Sequence, residues 1–127
     1  MMLQGVHHIA LWVSDLSRAK EFYGARLGFT VIRETPRAER GDVILDMRMG
    51  DIALELFCGG AHPPRASYPE ALGLRHLAFR VDDMDAAVKA LREAGIEPEP
   101  IRADAYTGKR MTFFFDPDGQ PLELQEA

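Results

Sequence analysis

Hydrophobic and polar residues alternate at the start of the chain, as they do in a strand with one buried face. Across residues 6–13 one side of the predicted strand carries Ile9, Leu11 and Val13, and the other carries His8, Ala10 and Trp12. Helical spacing of apolar residues follows over residues 16–27, with Asp15 as the predicted N-cap and Gly28 as the stop. Three more strands are predicted at residues 29–33, 43–47 and 52–57, with a polar loop at residues 35–42.

The same succession of elements begins again after a connector at residues 59–74, which is rich in Gly, Pro and small residues. Residues 76–81 predict a second two-faced strand, and residues 82–94 predict an amphipathic helix that Gly95 ends. Strands are then predicted at residues 98–102, 110–115 and 121–125. The segment Asp116-Pro117-Asp118-Gly119, between the last two, has the residues of a type I turn.

One offset relates the two halves of the chain. His8 aligns with His76 (76 − 8 = 68), and Glu55 aligns with Glu123 (123 − 55 = 68). A single register shared by the first and last strands is stronger evidence for an internal repeat than any local motif. The sequence therefore predicts an α+β fold of two tandem βαβββ modules. We expect one domain over residues 1–127, with module one at about 4–58, the connector at 59–74 and module two at about 75–126.

Composition and charge exclude several classes of partner. The 127 residues carry a formal net charge of −5 and no dense cluster of Lys and Arg, which argues against nucleic acid. No apolar run reaches the ~20 residues that a membrane helix needs, and the first residues lack the pattern of a secretory signal. The single cysteine, Cys58, has no partner for an intrachain disulfide. We expect a cytoplasmic protein that binds neither membranes nor nucleic acid.

Two histidines and two glutamates occupy matching places in the repeat, each on the strand face opposite its apolar neighbours. Taken singly, each is more often a structural residue. Taken together, His8, Glu55, His76 and Glu123 should converge, and carboxylates on one concave face repel one another unless a cation neutralises them. Nitrogen and oxygen donors without sulfur suit one divalent ion of Zn, Ni, Co, Mn or Fe. His7 has the opposite strand parity and His62 lies in the connector, so we expect both to be structural or surface residues.

The residues that carry this pattern read HHIALWVSDLSRAKEFY, IALELF, LRHLAFRVDD and DPDGQPLELQE. Over nearly the whole chain they resemble the vicinal oxygen chelate superfamily, and within it the glyoxalase I (lactoylglutathione lyase) group and its small YaeR-like branch. The resemblance implies two βαβββ modules that form a cupped mixed sheet around a metal site, with the helices outside. It also implies that the metal ion chelates two neighbouring oxygens of a small-molecule substrate. It further implies a homodimer, with the four ligands drawn from one chain or from two.

Family members differ in their ligands and in the residues that hold the substrate. The set of two His and two Glu resembles glyoxalase I, whereas extradiol dioxygenases and fosfomycin-modifying thiol transferases generally use three protein ligands. Glyoxalase I normally has an Arg and an Asn for glutathione where this chain has Trp12 and Gly59. The resemblance therefore implies the metal chemistry without the glutathione contacts.

Other substrate-binding candidates come from strand parity and from a basic segment. Arg80 shares the face of His76, as Trp12 shares the face of His8, and both are expected beside the site. Tyr106, Lys109 and Arg110 form a polar stretch in which a basic side chain pairs with a carboxylate or phosphate. Phe113 and Phe115 are expected to fill the core.

These observations predict a metal-dependent isomerase or lyase of the glyoxalase I type. The metal would polarise a carbonyl, and Glu123 or Glu55 would move a proton between neighbouring carbons through an enediolate. Two alternatives stay open at this point. One is a protein that binds a small molecule without turnover, as bleomycin-resistance members of the superfamily do, and the other is an Fe(II)-dependent dioxygenase.

Overall fold

The computed structural model describes all 127 residues. They form two compact units, Met1–Pro63 and Pro64–Ala127, and the boundary falls inside the predicted connector. The single-domain assignment over residues 1–127 stays a prediction.

The first unit is a four-stranded mixed sheet with one helical region. Its elements are β1 (Ile9–Trp12), α1 (Leu16–Ala19), a π-helical segment (Lys20–Arg26), β2 (Thr30–Arg37), β3 (Asp42–Met49) and β4 (Ile52–Cys58). The strand order is β1-β4-β3-β2, in which β1 runs parallel to β4 and the other neighbours are antiparallel.

The second unit repeats this connectivity. Its elements are β5 (Leu77–Val81), α2 (Met84–Glu93), β6 (Arg102–Ala103), β7 (Arg110–Phe115) and β8 (Pro121–Glu126). The order β5-β8-β7-β6, again with a parallel first pair, matches the order of the first unit. The predicted α+β class with two βαβββ modules is confirmed.

The two helices begin alike and continue differently. Asp15 and Asp83 are N-caps, and their carboxylates accept hydrogen bonds from the backbone N–H groups of Arg18 (2.9 Å) and Ala86 (3.0 Å). After Ala19 the first helix widens into π geometry, which the apolar spacing does not predict. Neither helix is long and apolar enough to cross a membrane.

Each unit buries one face of its sheet against its helix. The fully buried side chains include Leu45, Leu54 and Leu56 in the first unit, and Thr112, Phe114 and Leu122 in the second. Because strand side chains alternate, the intervening residues, Glu55 and Glu123 among them, project from the other face. The sheet faces that carry the candidate ligands are therefore fixed by the packing of the apolar faces.

Two predicted boundaries were wrong. Half of the predicted loop at residues 35–42 is strand, because β2 runs on to Arg37 and pairs with β3 down to Asp42, which leaves a turn at residues 38–41. The Arg37 guanidinium donates to both carboxylate oxygens of Asp42, at 2.7 and 2.6 Å, which closes this end of the hairpin. The strand predicted at residues 98–102 shrinks to the two residues of β6, since Pro98 and Pro100 have no N–H for a ladder.

Candidate metal centre

His8 and Glu55 are neighbours in the first unit. Ala10 lies opposite Glu55 in the parallel β1/β4 pair, and His8, two residues earlier, projects from the same face. The imidazole Nε2 lies 3.1 Å from a Glu55 carboxylate oxygen, and both side chains are partly open to solvent. Strand pairing therefore brings these two predicted ligands together.

His76 and Glu123 repeat the arrangement in the second unit. Ala78 lies opposite Glu123 in the parallel β5/β8 pair, and the His76 Nε2 lies 3.0 Å from a Glu123 carboxylate oxygen. The Glu123 side chain is only 8% exposed, which makes it the more deeply buried of the two glutamates. The sequence repeat is thus a repeat of side-chain geometry as well.

This donor geometry fits a divalent metal ion. Two ligands bound at right angles, each ~2.1 Å from one ion, lie ~3 Å apart, which is the separation observed in both pairs. A carboxylate as buried as Glu123 also needs a positive partner, and either a protonated imidazole or a metal ion supplies one. Within either unit no third His, Cys, Asp or Glu joins the pair to make a metal-binding group. A site with four ligands therefore requires both pairs, and their convergence stays a prediction.

Aromatic and imidazole rings lie near the pair in the first unit. The Trp12 ring stacks on His62 with 3.9 Å between ring centroids and also contacts Phe57 at 5.5 Å. His62 is exposed, and its Nε2 lies 2.9 Å from the carbonyl oxygen of Gly59. His7 is exposed too, and its Nδ1 lies 2.9 Å from the His8 Nδ1, so one of the two nitrogens donates a hydrogen bond. Trp12 lies on the site face, as the strand parity predicts.

Asp46 is a neighbour of Glu55 that the sequence reasoning missed. It lies directly opposite Glu55 in the antiparallel β3/β4 pair, and Arg33 is its charge partner at 3.4 Å. Like charges opposite one another destabilise a sheet, so this pairing raises the demand for a cation on the site face. The Gly50-Asp51 turn gives the signal, because a two-residue hairpin fixes which residues face each other.

The second unit has aromatic rings where the first has Asp46. Phe113 lies opposite Glu123 in the β7/β8 pair and packs edge-on against His76, with 5.2 Å between ring centroids. Phe115 is 47% exposed, and both rings line a cavity of about 260 Å³ that also includes His76. The expectation that these two phenylalanines fill the core was wrong. The period of two places them on the face of Glu123, and Phe114 fills the core instead.

The basic stretch before β7 lies apart from Glu123. Alternation places Arg110 on the helix side, where it pairs with Asp85 at 3.1 Å and Glu126 at 3.4 Å. The hydrogen bond with Asp85 raises the pKa of the Arg110 guanidinium. The Lys109 Nζ donates to the carbonyl oxygen of Ala127 at 2.5 Å. The structure thus gives both basic side chains partners within the fold.

Tyr106 and Arg80 are open to solvent. Tyr106 lies in a turn that Asp104 organises, since the Asp104 carboxylate accepts the N–H groups of Tyr106 (2.7 Å) and Thr107 (3.0 Å). These two bonds lower the pKa of Asp104. Arg80 is exposed on β5 opposite Gln125 and shares the face of His76 and Glu123. Of the predicted substrate residues, the structure places Trp12 and Arg80 on the ligand faces.

Gly59 is required by close packing of the backbone. Its φ is +152°, and a Cβ placed on it would lie 2.6 Å from the carbonyl oxygen of Gly41 and 2.7 Å from the Cα of Asp42. No side chain fits at this position without moving the start of β3. The close approach of Gly41 and Asp42 therefore excludes an asparagine side chain at this position of this chain.

Comparison with known proteins gives close relatives over the full length of the chain. It is 55% identical to the uncharacterized protein YwkD of Bacillus subtilis, with 99% of each chain covered. It is 51% identical to the uncharacterized protein YaeR of Escherichia coli, covering 98% of this chain and 97% of the relative. The crystal structure of a glyoxalase family protein from Enterococcus faecalis superposes with a TM-score of 0.96 at 52% identity, over 99% of this chain and 100% of that one.

More distant matches span several activities. They include methylmalonyl-CoA epimerases, a 2-epi-5-epi-valiolone epimerase and lactoylglutathione lyases. The fold is also that of the fosfomycin resistance protein FosX of Listeria monocytogenes, one structure of which contains Mn(II) and a dihydroxypropylphosphonic acid. The superfamily thus includes enzymes, and members of it bind divalent metal ions and small molecules.

Residues 5–124 match the model of a single family, the glyoxalase/bleomycin resistance protein/dioxygenase superfamily. This match agrees with the duplicated module and with the relatives. The chain belongs to that superfamily.

Proposed function

We propose that this protein is a divalent-metal-dependent isomerase or lyase of the glyoxalase I type, with His8, Glu55, His76 and Glu123 as metal ligands. The observation that carries the proposal is the repeated pair, in which an imidazole nitrogen lies 3.1 or 3.0 Å from a carboxylate oxygen on equivalent parallel strands. A structural role would explain one such pair. It would not explain why both halves of the chain keep the same two residue types at the same offset.

The residues divide the chemistry between binding and proton transfer. A bound metal ion would supply a Lewis acid that polarises a carbonyl oxygen of a substrate with two adjacent oxygens. Glu55 is the more accessible carboxylate, at 25% side-chain exposure against 8% for Glu123, and it is the better placed to exchange a proton with a substrate carbon. The buried Glu123 is suited to hold its position beside His76. Trp12 and Phe57 form an apolar wall next to the first pair.

The first test of the proposal is metal content. Purified protein incubated with Zn, Ni, Co, Mn or Fe(II) and then desalted is analysed by mass spectrometry for bound metal. We expect about one ion per four-ligand site, and we expect Glu55→Gln and Glu123→Gln to weaken binding by at least about tenfold, since each removes a charged ligand. Glu93→Gln, an exposed carboxylate on α2, is the control and should leave metal binding unchanged. Equal metal content in all four proteins would contradict the proposal.

The reaction is tested by proton exchange. The metal-loaded protein is incubated in D₂O with dicarbonyls, with and without thiols, and with sugar phosphates and acyl-CoA esters, and each is followed by NMR. We expect exchange at a carbon next to a carbonyl in one class of compound, abolished by Glu55→Gln.

The cavity beside His76 supports a second candidate, a protein that binds a small molecule without turnover. For this candidate we expect a compound to bind equally well with and without metal and to show no proton exchange.

A further inference from the structure

The cavity in the second unit has a composition that points to a class of ligand. Its volume is about 260 Å³, which suits a small metabolite better than a large cofactor. Its lining combines two arginines and two glutamates with aromatic rings, and the residues that matter here are Arg65, Glu70, Arg75, Glu99, Phe113 and Phe115.

The two glutamates are already neutralised. Both carboxylate oxygens of Glu70 accept from the Arg75 Nε, at 3.1 and 3.0 Å, and Arg65 lies 4.0 Å from the same carboxylate. Glu99 lies 4.0 Å from Arg102, which is outside the lining. The arginine charges are therefore not outweighed by the acidic residues around them.

The two arginines differ in what they can offer a ligand. The terminal nitrogens of Arg65 donate to the Ser67 hydroxyl at 3.2 Å and to the carbonyl oxygen of Arg75 at 2.5 Å, and this side chain is only 20% exposed. Arg75 bonds Glu70 through Nε alone, so both of its terminal nitrogens are left to bond a ligand, on a side chain that is 71% exposed. A guanidinium in this state pairs with a carboxylate through its remaining donors.

The rings of Phe113 and Phe115 indicate which chemical group the ligand carries besides a carboxylate. Phe115 is 47% exposed and Phe113 is half-buried, so the cavity keeps apolar surface in contact with water. Offset or edge contacts with a flat apolar group would remove that surface from water. His76, packed edge-on against Phe113, places the candidate metal ligand at the same cavity.

We propose that this cavity binds a small carboxylate that has a flat apolar body, with Arg75 holding the carboxylate and Phe113 and Phe115 holding the body. Arg75 is then a specificity-determining residue. The proposal deepens the proposed function by naming its substrate class and rests on it for the catalytic role of the site, but the binding itself requires no metal.

The test uses the full-length protein, freed of metal with a chelator, and a matched pair of probes. Mandelate carries an aromatic ring, a hydroxyl and a carboxylate, and mandelamide replaces the carboxylate with a neutral amide. Each is titrated into ¹⁵N-labelled protein, and backbone amide shifts give the site and the dissociation constant. We expect mandelate to shift the amides of Arg75, Phe113 and Phe115, and to bind at least about tenfold more tightly than mandelamide, as charge-assisted hydrogen bonds require.

The chain offers a close control for the arginine. Arg92 also bonds both oxygens of a glutamate, Glu97, through Nε, at 3.1 and 3.2 Å, but it lies on α2 away from the cavity. Arg75→Gln should lower the affinity for mandelate by at least about tenfold and leave the affinity for mandelamide unchanged. Arg92→Gln should change neither affinity. Arg75→Lys keeps the charge without the planar fork and should give an intermediate affinity.

Several outcomes would overturn the proposal. One is equal affinity for mandelate and mandelamide. Another is a titration in which the amide shifts are confined to residues outside the cavity or the Phe115 amide does not shift. A third is tighter binding of benzylammonium than of mandelate, which would assign the cavity to cations. The probe pair in the unmodified protein decides the matter even if Arg75→Gln fails to fold. Loss of metal binding in the earlier test would leave this result intact, and failure here would leave the metal site intact, so the two proposals fail separately.

Discussion

Gly59 is the position where the relation between packing and specificity is most directly testable. A methyl group on this residue would lie 2.6 Å from the Gly41 carbonyl oxygen and 2.7 Å from the Cα of Asp42, both backbone atoms that yield only if the end of the β3/β4 hairpin shifts. The φ of +152° adds conformational strain of ~1–3 kcal/mol for a residue with a side chain. Overpacking of a tight site adds ~1–3 kcal/mol more. We therefore expect Gly59→Ala to lower the free energy of unfolding by about 2–6 kcal/mol and Gly59→Asn by at least as much.

A second glycine, Gly73, serves as a control that separates conformational strain from steric crowding. Gly73 also has a positive φ, +123°, but nothing lies within 4 Å of a Cβ placed on it. Urea unfolding followed by circular dichroism should thus show a smaller loss for Gly73→Ala, close to the strain alone. Gly59→Asn, made to resemble glyoxalase I, should lose stability without gaining affinity for glutathione by calorimetry. Equal losses at Gly59 and Gly73, or glutathione binding by a stable Gly59→Asn protein, would refute the packing argument.

Two further predictions concern the helix cap and the β2/β3 hairpin. Asp83→Ala removes the acceptor for the Ala86 N–H and should lower the free energy of unfolding by about 1 kcal/mol, measured by calorimetry. Asp83→Ser keeps a side-chain acceptor and should retain most of that stability. An unchanged melting temperature in Asp83→Ala would argue against the cap. The hydrogen bond from Arg37 lowers the pKa of Asp42 below 3.8, so this ion pair stabilises the fold above that pH and is lost as the pH falls through the lower folded value. Asp42→Asn should therefore flatten the acid dependence of stability below about pH 4, as measured by urea unfolding at stepped pH, and an unaltered slope would contradict the assignment.

The fold was predictable because the informative patterns are local. The alternation at His8, Ala10 and Trp12 and the caps at Asp15 and Asp83 depend on neighbouring residues, and the structure contains the strands and helices that they predict. The ladder of β2 was less predictable. Its Thr35-Pro36-Arg37 end is polar, and it is strand because Arg37 meets Asp42 across the hairpin, an interaction that periodicity does not contain.

The sequence predicted the members of each His–Glu pair but not the residues on the neighbouring strands. The offset of the repeat indicated which His and which Glu belong together, and both pairs are in contact. Asp46 and Phe113, the residues directly opposite the two glutamates, depend on the register of β3 and β7, which the sequence reasoning did not apply. Arg75 carries no signal of a ligand role in the sequence, because the cavity that it lines forms when the connector packs beside β7.

The π-helical segment of the first unit also bears on how the two halves diverged. Between N-cap and terminal glycine, Asp15 to Gly28 spans 28 − 15 = 13 positions, and Asp83 to Gly95 spans 95 − 83 = 12. A helix that accepts one additional residue without breaking widens locally from α to π geometry. The widened turn is thus the trace of a one-residue length difference between the two copies.

A second difference in length lies in the hairpins, where the second half is the longer one. The residues opposite the glutamates lie 55 − 46 = 9 positions upstream in the first hairpin and 123 − 113 = 10 in the second. The two changes cancel, so the span from His to Glu is 47 positions in both halves (55 − 8 and 123 − 76). The two halves thus differ in length in a helix and in a hairpin, where the backbone accommodates one residue more or less, while the number of positions between each imidazole and its carboxylate is the same.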